Sequence, residues 1–354
     1  MQIDMHYYGT YCIARAAGLS REASRVIATS AQFVDDNAHQ TGIELGDASS
    51  CQVEATAHHT TAFENLDPKD QREVWVPFHF LPGNEGNSFT ERLICRKDSV
   101  IARQMCANHL AQSEKPYYLS LVGIMAHVYA DTFAHYGFSG VSSRRNRVDK
   151  YSFEFIGLDG GIKDYIVTKK NNVWDMFNPL IRNIKSSVAQ EVSNALGHGG
   201  VVTFPDRPYL QWRFDYTLSG DSGWRDNVTT FAEYCKNIHA YFTQIASKNP
   251  DWFDVSQQQT WNQLEPKVVA ILQYQAKGDA RCKRWQHEAK YGELLNVAEN
   301  IPEYKDWNEG FEALECRSSK EAISHPIFQY YQAASYHRWY VLRELLPQHG
   351  LMVS

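Results

Sequence analysis

Three side chains that can bind a metal ion recur at a helical spacing in the middle of the chain. His127, Asp131 and His135 are each four residues apart, so on a helix they lie along one stripe. The surrounding stretch 115–140 is mostly apolar and predicts one buried helix. Burying a carboxylate and two imidazoles costs several kcal/mol unless a partner offsets that cost. A divalent cation would do so; a hydrogen-bonded His–Asp–His ladder in a polar seam is the alternative.

The first 36 residues predict a helical hairpin whose open end carries further ligand types. The first helix ends at Gly18, and Ser20 caps the second. Because the two helices are antiparallel and similar in length, His6 at the start can meet Asp35 at the end. Asp36 is the neighbouring carboxylate, and one of the two is expected to face solvent.

Three more candidate ligands follow along the chain. His79 lies in the apolar stretch VWVPFHFLP, where its buried imidazole either binds a metal or bonds to backbone. His198 ends a predicted helix in GHGG, and Asp206 stands between two prolines that stiffen the backbone. A rigid carboxylate near a helix-end histidine suits a second metal ion. An Asp turn cap and a helix C-cap histidine are the alternative interpretation.

The composition sets the class of protein. With 354 residues, 43% of them hydrophobic, the chain can bury a large core. The formal net charge of −6 gives no basic surface for nucleic acid. Seven scattered cysteines without a CxxC spacing favour free thiols and a reducing compartment. The absence of a signal-peptide pattern and of any apolar run of about 18 residues predicts no transmembrane segment, and a cytoplasmic protein or one exported without a cleavable signal.

The spacing of apolar residues predicts a mainly α protein, a large helical bundle forming one domain over residues 1–354. Extended segments are expected within 46–80. The stretch YSFEFIGLDGGIKDYIVTKK predicts a small β-hairpin insertion at about 150–170. Beyond the N-terminal hairpin, the predicted helices cover 89–113, 115–140, 172–196, 224–247, 257–295 and 325–346.

The order of the candidate ligands resembles that of the zinc-dependent phospholipase C and P1-nuclease superfamily. In both, an N-terminal His is followed by an Asp that ends a helix, a His from an extended segment, a helix with HxxxD and a further His, and a later His with a carboxylate. The stretch HVYADTFAHYGF also resembles a helix of the fungal heterokaryon-incompatibility C relatives. The chain is similar, too, to an uncharacterised bacterial family that shares HYYGTY, VDD, HFLP, HVYADTFAHYGFSG, GHG and PDRPY.

This resemblance implies an all-α fold of the phospholipase C/P1 nuclease type with two or three zinc ions. The superfamily also uses the free amino group of an N-terminal Trp, whereas this chain begins Met1-Gln2-Ile3. Either Asp4 takes the place of that amine or the corresponding ion is absent. The spacing from His198 to Asp206 is also longer than the HxxxE/D of the superfamily. Carried over by position, the ligand sets are Asp35 or Asp36 with His79, His127 and Asp131; His135 with His198 and Asp206; and His6 with a bridging Asp131.

Imidazole and carboxylate ligands without a thiolate suit Zn²⁺, Mn²⁺ or Fe²⁺. Two such ions, about 3.5–4 Å apart, can activate a water for attack on a phosphodiester. Whichever of Asp35 and Asp36 does not bind a metal would be the general base for that water. We therefore expect a metal-dependent phosphodiesterase, phospholipase C-like, acting on a phospholipid headgroup rather than on nucleic acid. Tyr209, Trp212 and Trp224 are the candidate contacts to a choline cation.

Two alternatives stay open. The first is a single-strand nuclease on the same fold, which would need stacking aromatics and a basic groove. The second is a non-catalytic helical protein stapled by metal, or a secreted effector or toxin. Saturated ligand spheres without an open position would distinguish a metal-stapled protein from an enzyme.

Overall fold

The computed structural model describes residues 1–38, 42–58, 67–168, 197–315 and 317–353 and is mainly helical, which confirms the predicted class at that level. Most buried apolar residues form one large core, and nine more, chiefly aromatic, form a smaller one. Besides 160–168, the helical segments are Asp4–Gly9, Thr10–Ala16, Arg21–Asp36, Pro68–Asp70, Gln71–Trp75, Val76–Phe78, Phe89–Arg92, Val100–Leu110, Tyr118–Ala134, Arg144–Asn146, Gly199–Val201, Asn227–Lys248, Pro250–Trp252, Val255–Gln257, Trp261–Leu272, Gly278–Lys290, Asn308–Glu315, Ser319–Ala322, Pro326–Trp339, Tyr340–Leu345 and Leu346–Gln348.

The N-terminal hairpin is present as predicted. A π-helical turn, Asp4–Gly9, continues into the helix Thr10–Ala16, and the second helix of the hairpin is Arg21–Asp36. The Ser20 hydroxyl caps the second helix by accepting from the amide of Ala23 at 3.3 Å. The start of the hairpin thus lies beside its end. Wide π turns are uncommon and are found mostly at functional sites.

Tyr118–Ala134, the central helix, lies in the large core and is buried on nearly all sides. Gly123 allows it to approach the second helix of the hairpin closely, because a Cβ there would lie 2.4 Å from the carbonyl oxygen of Ile27. The helix is shorter than the predicted 115–140. It ends before Gly137, whose φ of +90° turns the chain. His135 is therefore the C-cap residue, one position beyond the helix.

The predicted extended structure is wrong for the stretch before His79. Residues 68–78 are helical, in the short segments Pro68–Asp70, Gln71–Trp75 and Val76–Phe78. Val74, Val76 and Phe78 resemble one face of a strand, but the residues between them are also largely buried, so the alternation does not report a single buried face. Asp67 caps the start of this helical stretch.

The predicted helix over 89–113 is interrupted between Phe89–Arg92 and Val100–Leu110. In the gap, the amide of Cys95 donates to the carbonyl of Phe138 at 2.7 Å, and Asp98 has a φ of 47°. A tertiary hydrogen bond and a left-handed residue therefore replace the helical pattern at this place.

The β-hairpin predicted at about 150–170 is also wrong. Glu154–Ile156 pairs antiparallel with the distant strand Gln211–Arg213, and residues 160–168 are helical. Phe155 lies opposite Trp212 in this pairing, so the distant strand offers an aromatic core that a local hairpin would lack. The other strand pairs are Gln211–Arg213 with Arg225–Asp226, Ile43–Glu44 with Ser50–Cys51, and Asp215–Tyr216 with Gly220–Asp221.

The later predicted helices are found near their expected positions, with the range 257–295 divided into Trp261–Leu272 and Gly278–Lys290. The helix predicted over 172–196 lies outside the described residues, as does Cys316. The six described cysteines are free and buried. Within the described ranges, no helix combines the length and the apolar character that crossing a membrane requires.

Candidate metal centre

Asp131 is the residue on which the predicted ligands converge. Its side chain is 1% exposed, and both of its oxygens have nitrogen neighbours. Oδ1 lies 2.5 Å from the amino nitrogen of Met1 and 3.3 Å from Nε2 of His6. Oδ2 lies 3.2 Å from Nε2 of His127 and 3.3 Å from Nδ1 of His79. One carboxylate therefore faces two sets of donors, which is the arrangement expected of a bridging ligand.

The donors form two groups, which together contain all the predicted metal ligands except the alternatives Asp36 and Asp4. Within each of three triplets, the ligand atoms lie within 4.8 Å of one another. The inner group combines two triplets, His6 with His127 and Asp131, and Asp35 with His79 and His127. The outer group is the third triplet, His135 with His198 and Asp206.

Backbone carbonyl groups orient His127 and His135, the two histidines of the stripe on the central helix. Nδ1 of His127 lies 2.7 Å from the carbonyl oxygen of Ala31, and Nδ1 of His135 lies 2.9 Å from that of His79. Because a carbonyl oxygen only accepts, each Nδ1 carries the hydrogen and each Nε2 is left for the cluster. Hydrogen bonds of this kind orient histidines that bind metal ions.

His198 and His79 are also oriented by a hydrogen bond from one ring nitrogen to a backbone carbonyl. Nδ1 of His198 bonds to the carbonyl of Val202 at 2.7 Å, so its Nε2 also faces the cluster. His79 is reversed, since its Nε2 bonds to the carbonyl of Thr56 at 2.8 Å and its Nδ1 faces Asp131. A nitrogen lone pair and a carboxylate oxygen repel each other unless a proton or a metal cation lies between them. The arrangement therefore fits metal ligands.

His6 supports metal binding most directly. It is 1% exposed, and among the described residues neither ring nitrogen has a partner with hydrogen-bond geometry. Its ring stacks on that of His127 with 3.9 Å between the centroids. Burial and the neighbouring His127 lower the pKa of His6 to about 4, so the imidazole is neutral at neutral pH. A neutral, buried imidazole without a hydrogen-bond partner is suited to a metal ion.

The amino group of Met1 joins the inner and outer groups. Its nitrogen lies 2.5 Å from Oδ1 of Asp131 and 3.3 Å from Oδ1 of Asp206. Burial by itself would lower the pKa of this amine, but the carboxylates of Asp131, Asp206 and Asp35 outweigh burial and raise the pKa to about 11. The protonated amine balances carboxylate charge, and the unprotonated amine is a potential ligand.

Asp4, the predicted substitute for an N-terminal amine, is not at the cluster. Its Oδ2 accepts from Nε of Arg281 at 2.7 Å, and both side chains are buried. That prediction is wrong because Asp4 faces the helix Gly278–Lys290, which carries its counter-charge.

Both fully enclosed carboxylates stay ionised. Burial would raise the pKa of Asp131, but His135 and the amino group of Met1 outweigh it and hold the pKa well below its usual range. Burial is likewise outweighed at Asp206, where the same amine and His198 lower the pKa. Two permanent negative charges in a buried site are stabilised by nearby cations, which again suits metal binding.

Asp35 faces the cluster and Asp36 does not. The Oδ1 of Asp35 lies 3.8 Å from Nδ1 of His79 and 3.9 Å from Nε2 of His127. Asp36 accepts instead from the hydroxyl of Tyr304 at 2.6 Å, and burial raises its pKa. The prediction of Asp36 as a catalytic residue is corrected on this ground, since consecutive residues of a helix point in different directions.

Two of the three aromatic residues predicted to contact substrate, Tyr209 and Trp212, are in the smaller core, so the prediction is wrong for them, whereas Trp224 is 48% exposed. Trp212 is 0% exposed and donates through its indole nitrogen to Oδ1 of Asn227 at 3.2 Å. Tyr209 is 5% exposed, and its hydroxyl accepts from Arg207 at 3.4 Å. Neither ring is accessible to a headgroup.

No local sequence pattern marks Arg225, which supports the outer group. Its guanidinium donates to the carbonyl groups of Ala134 and Tyr136, on either side of His135, at 3.1 and 3.0 Å. It also covers the ring of Tyr136 at 3.5 Å. A cation at the carboxyl end of a helix is favourable. The signal is tertiary, since Arg225 lies 91 residues from Ala134 in the sequence.

The fold and the site together define a mainly helical protein with a buried His/Asp cluster that could hold metal ions. The chain belongs to the Family of unknown function (DUF6765), whose model matches residues 1–345. No curated protein and no solved structure matches the chain. The family match covers every residue of the inner and outer groups.

Proposed function

We propose that this protein is a zinc-dependent phosphodiester hydrolase of the phospholipase C type. The observation that carries the proposal is the convergence of histidine and aspartate donors on Asp131, with no thiolate among them. Such donors suit Zn²⁺, with Mn²⁺ and Fe²⁺ as the other options. The resemblance of the ligand order to the phospholipase C and P1-nuclease superfamily supports the reaction class.

The proposed ligand sets follow the measured distances. When bound, the ions would lower the pKa of a water and stabilise charge on the phosphoryl oxygens. Asp131 would be a ligand common to the inner ions. His6 and the amino group of Met1 would hold one ion with Asp131, and Asp35, His79 and His127 would hold another. His135, His198 and Asp206 would hold the outer ion.

The charge of the loaded site favours an anionic substrate. Asp35, Asp131 and Asp206 contribute three negative charges, and the ligand imidazoles are neutral when they bind a metal. Two divalent ions would leave a local charge of 4 − 3 = +1, and three would leave 6 − 3 = +3. A phosphodiester monoanion complements either value.

Asp35 is placed to act on the attacking water. Its side chain is 33% exposed, against 1% for Asp131 and 7% for Asp206, so it lies on the side from which water and substrate arrive. One oxygen of Asp35 would bind the inner ion, and the other would accept the proton of that water. Phe80, stacked on His135 with 4.8 Å between centroids, covers one face of that imidazole.

A small headgroup suits the site better than a nucleic acid strand. A single-strand nuclease needs accessible aromatic rings on which bases stack, and Tyr209 and Trp212 are buried. Trp75, half-buried with its ring 5.0 Å from that of His79, could cover a choline cation by itself. The partial exposure of Asp35 favours an enzyme over a protein merely stapled by metal, because a catalytic site keeps an open position.

The proposal is tested by metal analysis combined with hydrolysis of a chromogenic phosphodiester. We expect two or three zinc ions per chain and activity that a chelator removes and zinc restores. The variant Asp35→Asn should lose about 100-fold or more in kcat, whereas Asp36→Asn, the same change one residue away, should retain activity. Phosphatidylcholine vesicles and single-stranded DNA then separate the two substrate classes. A zinc-free protein after dialysis against zinc would refute the metal site.

A further inference from the structure

Arg207 is a buried cation without an acidic partner. Its side chain is 1% exposed. Its hydrogen bonds are all to hydroxyl groups: Nε and Nη2 donate to Oγ1 of Thr203 at 3.3 and 3.1 Å, Nη1 to the hydroxyl of Tyr209 at 3.4 Å, and Nη2 to that of Tyr165 at 3.4 Å. Among the residues that the structure describes, no carboxylate oxygen lies within 4.0 Å of this guanidinium. A buried charge of this kind is costly unless an anion compensates it.

A second cation shares one of these partners. The ring of Tyr165 lies 5.1 Å from the guanidinium of Arg207 and 5.1 Å from Nζ of Lys277. Lys277 is exposed, and within the described ranges it also forms no ion pair. Two like charges on one ring repel each other, so their proximity is favourable when an anion lies within reach of both.

A third cation, the buried Arg281, lies near the same place, and its acidic partner does not neutralise Arg207. Its guanidinium covers the ring of Tyr209 at 5.7 Å and is itself neutralised by Asp4. The cluster of Arg207, Lys277 and Arg281 thus contains three positive groups and one carboxylate among the described residues. Its net charge is positive in a protein whose total charge is −6.

The position of Arg207 links this cluster to the metal centre. It directly follows Asp206 of the outer group, and Pro205 and Pro208 flank the pair and restrict the backbone. The carboxylate of Asp206 faces the amine of Met1 and the rings of His135 and His198, so it does not serve as the counter-charge of Arg207. An anion bound at Arg207 would therefore be held at a fixed place beside the outer group.

We infer that Arg207 and Lys277 form an anion subsite for a phosphate group that is not hydrolysed. This deepens the proposed function, on which it rests, by naming the substrate class: a phosphodiester that carries a second phosphate. The guanidinium offers planar, paired N–H donors that match phosphate oxygens. The hydroxyls of Thr203 and Tyr209 accept from Arg207, so their own hydrogens can turn to a bound oxyanion.

The subsite is tested by calorimetric titration of inorganic phosphate into the full-length protein, both zinc-loaded and chelator-treated, at constant ionic strength. In the chelator-treated protein we expect one saturable site that Lys277→Met weakens about tenfold. Lys283→Met, the same change at an exposed position in the helix that Lys277 precedes, should leave it unchanged. Arg207→Gln should abolish binding, and Arg207→Lys should restore part of it. No saturable phosphate binding, or equal binding by the Lys277→Met and Lys283→Met variants, would overturn the inference.

A second measurement addresses the substrate class in the zinc-loaded protein. Two chromogenic diesters that differ only by a second phosphate group are compared for kcat/KM. Lys277→Met should reduce the preference for the doubly phosphorylated diester and leave kcat/KM for the simple diester unchanged. An unchanged preference would overturn the assignment to substrate. A protein without metal or activity would instead contradict the proposed function, while the phosphate titration would still decide on the subsite.

Discussion

The inner and outer groups have the same donor types but are built differently. The inner donors His127 and Asp131 lie in the middle of the central helix, inside the large core. The outer donors His198 and Asp206 lie in a stretch of short turns, and their neighbours belong to the smaller aromatic core. His135, at the C-cap of the central helix, is the outer donor that shares the scaffold of the inner group.

The difference also extends to the carbonyl groups that hold the imidazoles. Ala31, which orients His127, is in a regular helix that Gly123 allows the central helix to approach. Val202, which orients His198, has a φ of 57° and is strained for a β-branched residue. Donors held by packed helices should therefore keep their metal under conditions in which donors held by turns lose it.

The largest effect is expected from Asp131→Asn, because this carboxylate contacts donors of the inner group and the amine that joins it to the outer group. We predict loss of zinc from the inner group and a fall in kcat of about a thousandfold. Zinc analysis and hydrolysis of a phosphodiester measure both, with circular dichroism to check folding. An Asp131→Asn protein with the full zinc content would contradict the bridging role.

Next in size is the effect of residues added before Met1. A Gly-Ser extension would displace the amino group from its 2.5 Å contact with Asp131. We expect a loss of zinc affinity of about 10- to 100-fold, and no loss when Gly-Ser is added at the other end. Equal zinc content in both extended proteins would show that the amine is only a counter-charge that the metal replaces.

The comparison between the groups is tested directly by His198→Ala and His127→Ala. His198→Ala should release the outer ion alone, whereas His127→Ala, at a residue shared by both inner triplets, should release the inner ions. In the unmodified protein, stepwise chelation should remove the outer ion first. Simultaneous loss of all zinc, in either variant or during chelation, would mean that the two groups form one cooperative site.

Arg225→Gln should act mainly on the outer group, since Arg225 holds the two carbonyl groups around His135. Loss of these charged hydrogen bonds should destabilise the protein by about 2–3 kcal/mol and weaken the outer ion about tenfold. The control is Arg213→Gln, at an arginine that is 35% exposed and paired with Glu154. Equal chelation profiles for the two variants would argue that Arg225 supports only the fold.

The smallest effect is expected from Val202→Gly. Relief of the left-handed strain, about 1–3 kcal/mol, should nearly cancel the loss of a buried side chain, about 1.5–3 kcal/mol. Val201→Gly, at a fully buried position with no positive φ, should cost the full amount. Chemical denaturation measures both; a Val202→Gly protein as unstable as Val201→Gly would show that Val202 stores no strain.

Helical spacing alone predicted much of the site. The stripe of His127, Asp131 and His135 follows from periodicity within one helix, and the meeting of His6 with the end of the second helix follows from hairpin geometry. The spacing did not distinguish Asp35 from Asp36, because both end the same helix. Nor did it show that Trp212 is enclosed, since its partners come from separate strands.

What the sequence by itself determined is therefore the alignment of His127, Asp131 and His135 and the meeting of His6 with the end of the second helix, because both depend on local helical geometry. The tertiary structure alone decided which ring nitrogen faces the cluster and that the amine of Met1 lies against Asp131, 130 residues away. It also directed the strand at Glu154–Ile156 to a distant partner. These outcomes depend on how packed elements meet, which local periodicity does not encode.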